Sequence, residues 1–386
     1  MKITKVIGHN VRIPLVYPAK WSGGIRHAAP ALILEIHTDE GIVGLGECVG
    51  PTIPTLATVV EEEFSQFLMG QDPLKIELLT RRLEEFARNW LKVGYHAISG
   101  IEMALLDIKG KWLNTPVYQL LGGLCKKEIG YAGYLFIDEP EINAQRALAY
   151  KNQGYKEIKL KVGRDLSHDV DTLAAIRGAI GNDIKIRVDA NMHWSLPTAI
   201  KWIKALQPYE LQYVEQPMPD YDLDGMAALR RVVDVPIATD ESCSSVERVL
   251  EMIKRESCDV FVVYVSEAGG LTRARTIASI ADACGKWCVM GTWAETGIAT
   301  IAGAHVIAST TNFAFCNDSH YMLQSDDIIT RPLQIVNGAI AIPHGAGLGV
   351  DLDLQKLEEF KNCEVRESVF FDHIDDEEMP RIGQIM

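Results

Sequence analysis

The chain has no Cys-x-x-Cys pair, no apolar run long enough to cross a bilayer, no Lys/Arg-rich stripe with interleaved aromatics, and no internal repeat or low-complexity tract. Each absence removes a class of function. The eight cysteines are scattered, and Cys284 and Cys288, four apart, have no second pair beside them, so neither a zinc site nor a disulfide framework is indicated. Without 18 or so consecutive apolar residues there is no candidate membrane helix. A net charge of −14, from 52 acidic against 38 basic residues, argues against a nucleic-acid partner. The start, "MKITKVIGHNVRIPL", lacks the apolar core of a signal peptide. A cytoplasmic protein of one large or two ordinary domains is expected.

What is present changes texture near residue 126. Before it, "KITKVIGHNVRIPL" and "ALILEIHTDEGIVGLGECV" alternate like antiparallel strands, with "YPAKWSGGIRHAAP" expected as a loop between them. Three stretches with apolar residues at spacings of three and four follow: "TIPTLATVVEEEFSQFLMG", "PLKIELLTRRLEEFARNW" and "HAISGIEMALLDIKGKWLN". Beyond residue 126, short apolar runs alternate with helical stretches: "IGYAGYL", "KEIKLKV", "IKIRVD", "LQYVEQ", "VPIATD", "DVFVVYV", "KWCVMGT" and "FAFCN". Eight strands at a spacing of roughly 25 residues indicate a parallel α/β barrel. An open doubly wound sheet is disfavoured because no GxGxxG follows the first strand. The expected organisation is an α+β capping domain over 1–125, completed by 355–386, and a barrel over 126–354.

The barrel strands end in charged residues. Lys159 and Lys161 lie two apart on one strand and therefore share a face. Asp189 with Asn191, then Glu215, then Asp240 and Glu241 end the next three strands. One acid at a strand end is commonly a helix cap. Three in succession after a lysine pair converge on one rim, where their repulsion calls for a hard cation such as Mg²⁺. A neighbouring ammonium and a divalent cation would both lower the pKa of Lys161, making it a base able to take a proton from carbon. A cation on the substrate carboxylate would stabilise the resulting enediolate.

These residues carry a resemblance. "AISGIEMALLDIKGK", "PVYQLLGG", "KLKVG", "VDAN", "VEQP", "TDES", "GTWAETGI" and "GLGVDLD", in this order, resemble the enolase superfamily in its mandelate racemase and muconate lactonizing enzyme branches. The resemblance implies an α+β capping domain, a modified (β/α)7β barrel and Mg²⁺. It implies Lys161 as base, Lys159 as its positive neighbour, and Asp189, Glu215 and Asp240 as metal ligands, with Glu241 an alternative third ligand. Loops matching "WSGGIRH" and "VGPTIP" should set specificity, which singles out Trp21, Arg26 and His27. A small-molecule carboxylate substrate and a homo-oligomer are further expectations from it.

The chain departs from both branches. Where muconate-type relatives carry another lysine after the sixth strand, "DVFVVYVSEAGGL" places Tyr264; where mandelate-type relatives use a histidine, "VMGTWAETGI" has none and offers Glu295. With an ordinary pKa near 10, a tyrosine is a poor base near neutrality, though it could donate to a leaving hydroxide or only fill the barrel mouth. His193 and His320 are further candidates for substrate contact. One strong base fits dehydration of an acid sugar or hydroxy acid. The alternative is a racemase, epimerase or cycloisomerase, and a more remote one is a binding protein without catalysis.

Overall fold

The computed structural model describes residues 1–370 except 51, 91, 366 and 367. Residues 371–386, part of the segment expected to complete the capping domain, lie outside the described residues. The N-terminal part is an antiparallel sheet, β1 (Ile3–Trp21), β2 (Gly24–Thr38) and β3 (Val43–Cys48), with β3 beside β2. The expected loop at 17–30 is instead the end of the β1–β2 hairpin. Ala19, Lys20 and Trp21 pair with Arg26, Ile25 and Gly24, leaving Ser22 and Gly23 as a two-residue turn. The glycine pair that reads as a loop signal makes the tight reversal, and a register shift between Pro14 and Ala19 absorbs the irregularity.

Helix Lys92–Leu113 covers this sheet, and helix Ile76–Phe86 packs on that helix. The first lies so close to the sheet that a Cβ on Gly46 would stand 2.0 Å from the Gly100 carbonyl oxygen, and one on Gly44 2.2 Å from that of Ala104. Only glycine permits that approach. The stretch read as one helix from Ile53 is interrupted by a π-helical turn, Val59–Phe64. There Glu61 turns outward to accept the Gly8 amide at 2.9 Å.

The second part opens with β4 (Glu128–Gly130), then β5 (Gly133–Leu135), β6 (Glu157–Lys161), β7 (Lys185–Asp189), β8 (Leu211–Glu215), β9 (Ile237–Thr239), β10 (Val260–Val263) and β11 (Trp287–Met290). From β5 to β11 each strand pairs in parallel with the next, helices between them. The strands are buried on both faces and so read as short apolar runs.

The expected eighth strand, "FAFCN", is not a ladder strand. Residues 313–317 close the curl through two isolated parallel bridges, Cys288 with Phe313 and Tyr131 with Asn317. Backbone bonds such as Asn317 N–H to the Gly130 carbonyl (2.8 Å) and Asp318 N–H to the Met290 carbonyl (2.8 Å) are supplemented by side chains. Arg187 donates to the Cys316 carbonyl (2.8 Å), Glu157 accepts the Cys316 amide (3.1 Å), and Asn317 Oδ1 accepts the Met290 amide (2.9 Å). Afterwards β12 (Ala339–Ala341) pairs antiparallel with β4, helix Leu354–Lys361 packs on β1, and β13 (Ser368–Phe370) adds to β2.

Candidate active site

The paired lysines of β6 point into the barrel among carboxylates. Lys159 is 1% exposed and donates to Glu215 Oε1 (2.5 Å) and Asp318 Oδ2 (2.7 Å), with Asp189 Oδ2 at 3.1 Å. Lys161 donates to Asp189 Oδ2 (2.5 Å) and Asn191 Oδ1 (2.8 Å). Asp189 thus sits between the two ammonium groups, which is why they tolerate one face. Below them Arg187 ties Asp318 (2.5 Å) to Glu157 (2.7 Å).

Asp189, Glu215 and Asp240, from three adjacent strand ends, each offer an oxygen within 4.8 Å of the others, and all three are buried. Asn191, at φ 44°, accepts from Lys161 and donates to Glu241 Oε1 (2.9 Å), joining the base to the next acid. Gln216, at φ 31°, accepts the Asp240 amide (2.8 Å) through its side-chain oxygen, fixing one ligand strand against the next. Gln216 and Asp318 escape sequence reasoning because their roles depend on partners 24 and 159 residues away.

Negative charge exceeds positive at this rim. Burial, and then the Asp189 charge, push Glu215 well above the usual carboxylate range; burial and Glu241 do the same to Asp240. Glu241 is pushed up to about 7 by burial and Asp189. Asp189 goes the other way: burial would raise it, but Lys161 and Lys159 together hold it low. Glu215 Oε2 and Glu241 Oε2 have no hydrogen-bond partner. Buried oxygens left bare in this way fit a hard divalent cation.

The expected depression of Lys161 is not found in the metal-free chain. Burial lowers its pKa, but Asp189 outweighs burial and holds the ammonium above the ordinary lysine value. The expectation weighed Lys159 and a cation and left out the carboxylate in contact.

A cavity of about 200 Å³ opens above the cluster, with Trp21, Arg26, Lys161, Asn191, Tyr264 and His320 in its wall. Arg26 lies 5.9 and 5.8 Å from the ring centroids of Trp21 and Trp293 and donates to the Trp293 carbonyl (2.9 Å). His320 packs edge-on to Tyr134 (4.5 Å), with neither ring nitrogen partnered, and burial holds it neutral. Tyr264 lies against Gly291, where a Cβ would stand 2.3 Å from its ring. Burial, Asp240 and Glu215 raise its phenol well above 10.

Other candidates stand elsewhere. Lys159 lies under the cluster and is not in the cavity wall. His27 follows Arg26 on a strand and faces the opposite side. His193 is buried away from the cavity, its pKa lowered to about 4 by burial. Glu295 turns back to accept from Thr292 (2.5 Å) and the Trp293 amide (2.9 Å). No helix among the described residues is long and apolar enough to cross a membrane.

Comparison with known proteins agrees with this geometry. Residues 3–122 match the family described as Mandelate racemase / muconate lactonizing enzyme, N-terminal domain, and residues 142–356 match Enolase C-terminal domain-like. The chain is 33% identical to hydrophobic dipeptide epimerase from Enterococcus faecalis, over 91% of this chain and 99% of that one. It is 30% identical to muconate cycloisomerase 1-1 from Acinetobacter lwoffii, over 91% and 94%. A crystal structure of N-succinyl Arg/Lys racemase from Bacillus cereus superposes with a TM-score of 0.88 at 30% identity, covering 96% of this chain and 100% of that one.

Proposed function

Since the chain belongs to the enolase superfamily, in its mandelate racemase / muconate lactonizing enzyme group, we propose that it is an isomerase of the cycloisomerase type, acting on a small carboxylate. The relatives compared above are an epimerase, a cycloisomerase and a racemase, so isomerisation is favoured over loss of water. The observation that selects among them is the cavity wall, where Lys161 is the one amine among the described residues and Tyr134 and Tyr264 are the phenols. Racemisation through opposed bases requires a proton acceptor on each face of the α-carbon. A phenol, ordinarily near 10 and raised further by burial, is a poor second acceptor near neutrality. Intramolecular addition and its reverse need one acid/base, and Lys161 suffices.

Asp189, Glu215 and Asp240 are the residues that would hold Mg²⁺, with Glu241 alongside. Bound there, the ion would stabilise negative charge on the substrate carboxylate. Lys161 would take and return the α-proton from one face, Asn191 would orient its amine, and Lys159 would hold Glu215 and Asp189 in place.

A second reading, dehydration of a hydroxy acid, is supported by the protonated Tyr264 hydroxyl in the same cavity. One experiment separates them. Carboxylates and their lactones are screened with Mg²⁺ in deuterated water and followed by NMR and mass spectrometry. A cycloisomerase gives product of unchanged mass plus deuterium on one face only; a 2-keto acid lighter by one water supports dehydration; deuterium on both faces overturns the single-base argument.

A further inference from the structure

Beyond Trp293 a second chamber of about 210 Å³ adjoins the catalytic cavity, sharing Met192, Glu241, Glu267 and Trp293 in its wall. Its far side comes from the capping domain: Thr52, Leu56, Lys92 and His96. His96 is 1% exposed, and its Nδ1 lies 2.5 Å from the Val49 carbonyl oxygen. A carbonyl only accepts, so Nδ1 carries the proton and Nε2 presents a lone pair. That Nε2 is buried with no partner. Glu267, also 1% exposed, accepts the Trp293 indole N–H through Oε1 (3.0 Å), while Oε2 accepts no hydrogen bond and stands 3.3 Å from Lys92 Nζ. The chamber wall carries three carboxylates, Asp220, Glu241 and Glu267, against the single ammonium of Lys92. Lys92 is 42% exposed, and its ammonium also donates to the Glu241 carbonyl (3.4 Å).

In a chamber continuous with the catalytic cavity, His96 Nε2 is a buried acceptor for which the folded chain provides no donor, and the neighbouring Glu267 Oε2 is held only by its ion pair with Lys92. We propose that this chamber is a specificity subsite for a cationic primary amine at the end of the substrate remote from its reacting carboxylate. The amine donates to His96 Nε2 and Glu267 Oε2, displacing Lys92 from the latter. The inference rests on the reading that a carboxylate binds at the Asp189–Glu215–Asp240 cluster, and it narrows the substrates to carboxylates with a distal ammonium group.

Calorimetric titration of the Mg²⁺-loaded protein with hexanoate and with 6-aminohexanoate tests the subsite. The expected result is at least tenfold tighter binding of 6-aminohexanoate. That preference is lost in Glu267→Gln and in His96→Phe, with the affinity for hexanoate kept. Thr52→Phe, which narrows the chamber without altering either acceptor, is expected to remove the same preference and serves where a buried substitution unfolds the chain. Equal affinity for the two probes in the wild type, or a preference that survives all three substitutions, overturns the subsite alone. No Mg²⁺-dependent binding of hexanoate overturns the carboxylate reading, and the subsite with it.

Discussion

Two groups of buried acids in the molecule are treated differently. At Glu47 and Asp107, where the capping domain meets the barrel, backbone donors fill the carboxylate oxygens. Glu47 accepts the Thr296 amide (2.7 Å), the Thr296 hydroxyl (2.6 Å) and the Ala299 amide (2.8 Å), capping helix Gly297–Ala308 from the other domain. Asp107 accepts the Leu45 and Leu348 amides, both at 2.8 Å, and pairs with Lys111 at 2.6 Å. At the barrel mouth, Glu215 and Glu241 each keep a bare buried oxygen. Both groups bear the cost of desolvation, but only the first has its oxygens filled by donors of the folded chain. A buried acid whose oxygens are all occupied is a fastener. One left open is waiting for something the chain does not contain.

The comparison breaks first at Lys161. Lys161→Met should lower turnover of the substrate found by screening by about 10²- to 10⁴-fold, the scale of a lost general base. Mg²⁺ affinity measured by calorimetry should hold within a few-fold. If turnover persists, the amine at the mouth is a counterion like Lys111 at the joint.

At the joint, Glu47→Ala leaves buried amide and hydroxyl donors unpaired and is expected to cost about 3 kcal/mol in urea unfolding, with no change in Mg²⁺ affinity. Asp240→Asn at the mouth should do the reverse. It removes a carboxylate that burial and Glu241 already push toward protonation, so metal-free stability should hold or rise by about 1 kcal/mol. Mg²⁺ affinity should fall at least tenfold. An Asp240→Asn protein that unfolds easily yet binds Mg²⁺ normally would place this residue with the fasteners.

The pH dependence of stability sharpens the contrast. Glu241 is pushed up to about 7 in the metal-free fold, against 4.5 ordinarily. A carboxyl with a raised folded pKa has no effect below about 4.5, where both states are protonated. It then destabilises progressively up to pH 7 and by a constant amount above, up to about 3 kcal/mol here. Burial also pushes Glu47 and Glu102 up to about 7. Unfolding in EDTA should therefore show stability falling between pH 4.5 and 7. Saturating Mg²⁺ should remove the part from the mouth and leave the part from the joint. Identical slopes with and without Mg²⁺ would mean that the ion does not bind among these acids.

This contrast explains how much could be read in advance. Lys159, Lys161, Asp189, Glu215 and Asp240 are legible because a parallel barrel strand is short, apolar and ends at the rim, so its last charged residue declares its position. The fasteners are not legible. Glu47 sits in a run that merely alternates, and nothing near it shows that its partners lie 249 residues later. Asp318 and Arg187 likewise meet only once the barrel closes, from positions 131 residues apart. The Gly23–Gly24 pair misleads for a local reason, because the signal for a loop and the signal for a tight hairpin are the same residues.

The smallest effect expected is that of Tyr264→Phe, and it tests the one residue at the mouth that could blur the distinction. Its ring covers Gly291 and borders the cavity, while burial, Asp240 and Glu215 hold its hydroxyl protonated throughout the working pH range. If it only shields the open acids from water, removing the hydroxyl leaves their surroundings as apolar as before. Turnover should then change less than tenfold, with the shape of the pH–rate profile and the affinity for Mg²⁺ unaltered. A loss of about 10³-fold, restricted to substrates carrying a β-hydroxyl, would instead make the phenol a proton donor to a leaving group. The open carboxylates would then serve an elimination, and the cycloisomerase reading would give way to dehydration.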